Sequence, residues 1–426
     1  MSGTSQQAQA GLPPTVPPKP GAIAPAEAWA RIAAIARPLP AERVPVSRAA
    51  GRWVAEDLHA RLSLPHDTNS AMDGFAVRAD DVPATAAPIA GESRAGAPFT
   101  GDAPAGAVIR IATGGALPST FDAIVPIELA EVDEAAQTVA LPAARLGAHV
   151  RHAGEDVREG DLLVAAGTRL AANHLVALAA AGIAEVPCAR RPVVSIVVTG
   201  DEVVPPGTTP STGQVIDVHG TALPALIEAS GGVVGEVRHA ADGRSELGGV
   251  LDALAPADVV IITGGLSVGR HDWTRPALAD RGAELLVERL LMRPGQPTAV
   301  AVSAEAGGVS RLWFGLPGNP VSAYVVATLL LTPTLRALAG DPAAAIVPRR
   351  ARLRQAAQPD ARRWLALRAE LELGEDGEEV VVLDGQASHM MGDLARADGL
   401  ALLEPGDAPL DAGAEVPVVL LPGLER

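Results

Sequence analysis

Two stretches decide the architecture: Val193-Val-Ser-Ile-Val-Val-Thr199-Gly200 and Asp258-Val-Val-Ile-Ile-Thr263-Gly264-Gly265. Each is a continuous apolar run that ends in glycine. Neither alternates as a strand facing water on one side would, so each reads as a parallel strand buried on both faces. Between them lie a helical pattern over 221–230, the run GGVVGEVRH and a second helical pattern over 245–254. Strand, helix, strand, helix, strand predicts a doubly wound α/β domain over residues 191–340. The ligand site of such a domain lies outside the carboxyl ends of its strands.

Outward from this centre the character changes. Residues 61–153 are dense in glycine and proline, with short apolar runs such as AVIRIAT and DAIVPIE, and predict a β-rich domain. Residues 22–60 and 154–190 carry helical patterns over 26–35 and 171–181, which predicts a discontinuous helical linker domain. Residues 341–426 contain LALRAELEL, EEVVVL and VPVVLL between acidic and glycine turns, the pattern of a small β-barrel. Residues 1–21, rich in Pro, Gln and Ser, predict a disordered arm. The expected fold is multidomain α/β plus β.

Composition narrows the function. The chain has 426 residues, of which 48% are apolar but only 2% aromatic, so its cores must be built from aliphatic side chains. No apolar run is read as a membrane span, and the first residues lack the basic and apolar regions of a secretory signal. The single cysteine, Cys188, excludes an intrachain disulfide and a multi-cysteine metal site, and it fits a reducing, cytoplasmic setting. A net charge of −16 argues against broad nucleic-acid binding. An anionic ligand would need a local cluster of donors. Of 34 basic residues only Lys19 is a lysine.

The motifs that could carry chemistry sit in loops. Asp67-Thr-Asn69-Ser70-Ala-Met72-Asp73-Gly74 crowds polar side chains that can pin a turn. Thr113-Gly114-Gly115 follows a strand; its glycines allow close backbone approach, or a plain hairpin. Arg151-His-Ala-Gly-Glu155-Asp156 sets acids beside an arginine, as a ligand site or a solvated helix start does. Thr199-Gly200-Asp201-Glu202 lies at a strand's carboxyl end. Thr263-Gly264-Gly265-Leu-Ser267-Val-Gly269-Arg270-His271-Asp272 reads as an anion-cradling glycine loop. It also matches Gly-x-Ser-x-Gly, so a serine hydrolase with Ser267 as nucleophile and His389 as base is a rival reading. Arg289, Met292-Arg293-Pro-Gly-Gln296-Pro297 and Pro317-Gly318-Asn319-Pro320 complete the set, the last predicting a helix capped by Asn319.

In this order SAMDGFA, TGGALP, GEDV, TGDE, TGGLSVG, RPGQP, LPGNPVSA and SHMMGDLARADGL resemble the MoeA and gephyrin E-domain family over about residues 22–422. The resemblance implies a central molybdopterin-binding, MogA-like domain, a β-rich domain and a C-terminal β-barrel. It implies a molybdopterin molybdenumtransferase that inserts molybdate into adenylylated molybdopterin and releases AMP with the help of magnesium. It implies a homodimer whose site is shared between subunits, supplied by a MogA-like adenylyltransferase. Matched position by position, Asp73, Thr113, Asp156, Glu202, Asp242, Asp272, Arg289 and Arg293 are the implied catalytic residues. Glu202, Asp242 and Asp272 are the implied metal ligands. Arg151, Gly264, Gly265, Ser267, Gly269, Pro317, Gly318, Asn319, Pro320, Arg368 and Ser388 are the implied contacts to the pterin nucleotide. The chain departs from the family's pattern where Arg289, Arg293 and Gln296 stand for lysines and where Asp217-Val218-His219 stands for Asp-Ser-Asn. Those departures keep a second reading in view, a divergent pterin-binding paralogue without turnover or with another substrate.

Overall fold

The two apolar runs are neighbouring strands of one sheet, as their composition requires. The computed structural model describes residues 21–266, 272–304, 310–374 and 377–424. It divides into one unit of Arg43–Pro187 and another of Met1–Glu42 with Cys188–Arg426. The expected arm lies almost wholly outside the described residues.

Helix α1 (Pro25–Ala33) starts on a proline at its first turn, where a missing N–H costs nothing. Its Ala28 and Ile32 are fully buried in the same core as Val194, Ile196 and Val198. It therefore belongs with the α/β unit and not with the helical linker expected over 22–60. The remainder of that expected linker is also less helical than its alanine-rich composition suggests. Leu58–His59 pairs with Leu162–Val164 in a short antiparallel ladder, and Ala172–Ala180 (α2) is the one α-helix described in the Arg43–Pro187 unit.

The core of that unit is a six-stranded sheet built from Gly74–Val77 (β1), Ala87–Ser93 (β2), Val108–Ile111 (β3), Ala123–Pro126 (β4), Glu131–Asp133 (β5) and Thr138–Ala140 (β6), in the order β4-β1-β3-β2-β6-β5. β1 is buried along its whole length. Alternate residues face opposite sides, Phe75 and Val77 into one core and Ala76 into another.

In the other unit the strands are Val193–Thr199 (β7), Val233–Ala240 (β8), Val259–Thr263 (β9), Glu284–Val287 (β10), Ala299–Ala304 (β11) and Ser310–Leu316 (β12), ordered β8-β7-β9-β12-β11-β10. The first four are parallel and the last two antiparallel. Helices α3 (His219–Ala229) and α4 (Arg244–Asp252) carry the crossovers. From β7 the chain crosses to β8 on one side and then to β9 on the other, so the connections diverge between β7 and β9. That divergence opens a crevice at the strands' carboxyl ends. Val194, Ile196, Val198, Val259 and Ile261 fill the core on one face; Val197, Val260 and Ile262 fill the core on the other. This is the burial on both faces that the unbroken apolar runs predict.

Helix α5 (Thr274–Ala279) lies between β9 and β10, and after β12 comes the long helical stretch Pro320–Val326 (α6), Ala327–Leu331 and Thr332–Leu338 (α7). Pro320–Leu338 is long and apolar enough to cross a membrane, against the expectation that no run is, but 83% of it is buried inside the protein. Its hydrophobic surface is used as core. The C-terminal strands Arg349–Leu353 (β13), Trp364–Gly374 (β14), Gly377–Val382 (β15), Gly399–Leu403 (β16) and Glu415–Leu420 (β17) pair in the cycle β14-β15-β13-β17-β16-β14, the closed five-stranded barrel expected from their alternation.

Because Ile261 lies at the centre of the parallel sheet with no exposed surface, Ile261→Ala should lower stability by about 2–5 kcal/mol. Leu373→Ala, at a side chain 87% exposed, should change it by less than about 0.5 kcal/mol. Urea denaturation followed by the fluorescence of Trp313, which is buried in the same unit, checks both.

Candidate functional site

The three loops leaving β7, β9 and β12 bound one cavity of about 1060 Å³. It lies where the diverging crossovers place it. Glu202, Asp242, Gly264, Gly265, Arg289, Pro317, Gly318, Asn319 and Pro320, all named from the sequence, line it. So do Thr199, Gln214, Asp217, His219, Thr263, Gln296 and His389.

The loops are locked to each other by the ladder beneath them. The Thr199 hydroxyl donates to the Thr263 carbonyl at 2.8 Å, and the Gly264 N–H donates to the Leu316 carbonyl at 3.0 Å. Gly264 and Gly265 adopt φ of +90° and +61°. A Cβ on Gly264 would stand 2.5 Å from Thr199 Oγ1, and one on Gly265 would stand 2.8 Å from Thr274 Oγ1. These glycines are therefore needed first for the close packing of neighbouring loops. The Gly264 amide is consumed by the sheet and is not part of a free cradle for an anion. Ser267 and Gly269, with Arg270 and His271, lie outside the described residues.

Asn319 precedes α6 with extended backbone, but its side chain makes no capping hydrogen bond, contrary to the expectation of a cap. It is exposed at the cavity instead. His219 opens α3 and is buried; its Nε2 lies 2.9 Å from the Gly318 carbonyl. A carbonyl only accepts, so Nε2 carries the proton and Nδ1 of the neutral ring is an acceptor. Burial holds the His219 imidazole below its usual range, against the opposing effects of the Gly318 hydrogen bond and of Asp217. Asp217 is itself buried. It accepts from the Gly220 N–H at 2.8 Å and faces His239 Nε2 at 3.1 Å.

Glu202 and Asp242 are exposed at the cavity's rim, and Asp201 Oδ1 accepts from the Asp242 N–H at 3.2 Å. Asp272 is placed differently. Its carboxylate pairs with Arg275 at 2.6 Å, and it is not among the lining residues. Among the described residues no three His, Cys, Asp or Glu side chains cluster as a metal site. Two carboxylates nevertheless suit magnesium, which takes one or two from the protein and the remainder from phosphate and water. Glu202 and Asp242 are the exposed carboxylates at the rim that such a set could draw on.

Arg293, Arg368 and Ser388 do not line the cavity. Arg293 pairs with Leu365 beside the barrel. Arg368 is fully buried on β14; its Nη2 donates to the Gly385 and Ala387 carbonyls, and Nε and Nη1 have no partner. Burial lowers its pKa, against the pull of Asp393.

The Arg43–Pro187 unit gathers its own set. Asp73 Oδ1 accepts from the Thr113 N–H at 2.6 Å. That bond, chiefly, holds the Asp73 carboxyl below the usual carboxylate range. The Gly114 N–H donates to the Ser70 carbonyl at 2.8 Å, Arg151 pairs with Asn69, and the Asp156 N–H donates to the Leu64 carbonyl at 3.1 Å. Asp73, Thr113, Arg151 and Asp156 thus stand exposed on loops laced to one another.

Comparison with known proteins agrees in all three regions. Residues 23–182 match the MoeA N-terminal region (domain I and II), 195–337 a probable molybdopterin binding domain, and 350–421 the MoeA C-terminal region (domain IV). A molybdopterin molybdenumtransferase of Haemophilus influenzae is 34% identical over 71% of this chain and 74% of its own length. Molybdopterin molybdenumtransferase 2 of Mycobacterium tuberculosis is 33% identical over 88% of this chain and 94% of its own. The crystal structure of the molybdopterin biosynthesis MoeA protein of Pyrococcus horikoshii superposes with a TM-score of 0.78 at 30% identity, covering 94% of this chain and 100% of that one.

The buried His219 sets a pH dependence. Its folded pKa is depressed below the ordinary 6.5, so the unfolded chain takes up a proton that the folded one refuses. Its stabilising share is complete above about pH 6.5 and is lost as pH falls below that value. Melting temperatures between about pH 7.5 and 5 should therefore fall less steeply for His219→Gln than for the unmodified protein. Parallel curves would show that His219 does not titrate in this environment.

Proposed function

The chain belongs to the MoeA family, and from that membership we propose that it is a molybdopterin molybdenumtransferase of molybdenum cofactor biosynthesis. The reaction we assign to it is insertion of molybdate into adenylylated molybdopterin, with cleavage of the pyrophosphate link and release of AMP. The observation that carries this reading is the convergence of three strand-end loops on one cavity of about 1060 Å³, bordered by Glu202, Asp242 and Arg289. That volume stands at the top of the range for small-ligand pockets, as a pterin joined to a nucleotide needs.

Each group has a task consistent with its place. Glu202 and Asp242 would hold magnesium at the rim, and the metal when bound supplies charge neutralisation at phosphate oxygens. Arg289 offers a fixed positive charge and paired donors to an oxyanion. Asn319, free of capping duty, offers a neutral amide. On the Arg43–Pro187 unit Asp73, anchored by the Thr113 N–H, presents an exposed carboxylate. Arg151, Thr113 and Asp156 accompany it. We assign the protein to a cytoplasmic homodimer in which the site draws on both subunits, with the adenylylated substrate supplied by a MogA-like adenylyltransferase.

Gln296 favours the second reading. It puts a neutral amide in the cavity where the sequence resemblance implies a lysine, and a paralogue that binds the pterin nucleotide without turnover would tolerate that loss of charge.

Incubation with adenylylated molybdopterin, magnesium and molybdate should release AMP; binding without release would establish the second reading. Glu202→Gln should lower kcat/KM at least about tenfold through weaker magnesium-assisted turnover, with the melting temperature preserved. Asp73→Asn should also be impaired. If the site draws on two subunits, mixing and refolding the two inactive variants together should restore part of the activity. No recovery in a sample shown to contain mixed dimers would confine each site to one chain.

A further inference from the structure

The cavity's floor differs in chemistry from its rim. Glu202 and Asp242 at the rim are exposed carboxylates, and Arg289 is half-buried. Deeper in, two lining groups are neutral and unsatisfied. Gln296 Nε2 and Thr263 Oγ1 are both buried from solvent and have no hydrogen-bond partner in the protein. Their main-chain carbonyls, by contrast, are engaged. The Thr263 carbonyl accepts from the Thr199 hydroxyl. The Gln296 carbonyl accepts from the Leu290 and Thr298 N–H groups at 3.1 and 2.8 Å. Buried polar atoms are nearly always paired, so two orphans lining one cavity point to atoms that arrive with a ligand.

A third neutral group lines the same cavity. His219 gives its Nε2 proton to Gly318, which leaves Nδ1 as an acceptor. Gly318 is packed against Gly264, next to Thr263. The floor therefore offers an amide donor, a hydroxyl that can donate or accept, and a ring acceptor, while the buried Asp217 carboxylate beside His219 is taken up by the Gly220 N–H and His239. An ionised phosphate or molybdate buried against these alone would lose its hydration without gaining a counter-charge. A neutral heterocycle whose edge presents donor and acceptor side by side loses far less and satisfies all three.

We propose that Thr263, Gln296 and His219 form a neutral hydrogen-bonding subsite that takes an uncharged heterocyclic ring of the substrate, leaving the anionic part to the rim. This rests on the assignment of a pterin nucleotide as substrate. Pterin and adenine share the required edge, and the experiment separates them.

Binding of 6-hydroxymethylpterin, read by its fluorescence, and of adenosine, read by calorimetry, would be measured for the unmodified protein, Gln296→Leu and Thr263→Val. Both substitutions keep the side chain's approximate shape. Whichever heterocycle occupies the floor should bind each variant about five- to tenfold more weakly. Molybdate binding should stay within about twofold, since its charge is met elsewhere. The unliganded variants should melt about 1–2 °C higher, because an orphaned buried polar group has been removed. That pairing of weaker binding with a more stable unliganded protein is not what loss of a structural residue produces.

The proposal is overturned if the unmodified protein binds neither heterocycle in the millimolar range. It is overturned too if both variants keep full heterocycle affinity, or if they lose molybdate affinity instead. Because these measurements need no turnover, they stand apart from the AMP assay. Absence of AMP release removes the transferase reading while leaving the subsite tested on its own.

Discussion

A single hydrogen-bonded row across the parallel sheet fixes everything at the site. Val198 of β7 is in register with Thr263 of β9, and Thr263 with Leu316 of β12. The next residues along each strand are Thr199-Gly200, Gly264-Gly265 and Pro317-Gly318. Their loops leave the sheet at the same level because their strands end on the same row. A slip of one residue in any of these strands would turn its side chains to the opposite face. The two faces are not interchangeable here: Val198 and Val197 bury in different cores. Packing on both sides of the sheet thus pins the register, and the register brings the loops together.

This explains why the α/β core was legible in the sequence. Unbroken Val and Ile runs have few stable settings other than a strand covered on both faces, and their glycine ends mark where the chain turns off the sheet. The C-terminal barrel was legible from its alternation. The expected linker over 22–60 and 154–190 was misread in part, because alanine-rich helical periodicity says nothing of partners a hundred residues away. Leu58–His59 becomes a strand only through Leu162–Val164. Helix α1 has the periodicity expected of it, but only the packing of Ala28 and Ile32 decides which core it joins.

The site shows the same division. Gly264 and Gly265 could be recognised as positions of close approach, but the atoms that approach are Thr199 Oγ1 and Thr274 Oγ1 of the protein itself. Asp272 could be named as an acid near a strand end, yet Arg275, three residues along, takes its carboxylate. Thr263 could be named as the start of the glycine loop and Gln296 as a departure from lysine. Neither observation says what the side chain meets in the fold. Their significance is the absence of a partner, which only the folded arrangement reveals.

Charge makes that absence consequential. A chain of net charge −16 repels an anionic substrate at long range. Beyond about one Debye length, roughly 8–10 Å, salt screens most of that repulsion, so local groups decide binding. Arg289 is opposed by Glu288, 3.6 Å away, and shares its cavity with the rim carboxylates Glu202 and Asp242, which oppose an anion until a cation neutralises them. Electrostatics alone therefore gives a weak grip on an anion and a strong dependence on the metal. Hydrogen bonds to neutral groups escape this limit, because their strength does not depend on the sign of the protein's field. A cavity that divides the work, with exposed ionic groups at the rim and the unpartnered Thr263 and Gln296 side chains deeper in, can hold an anionic nucleotide on an acidic protein without requiring a basic surface.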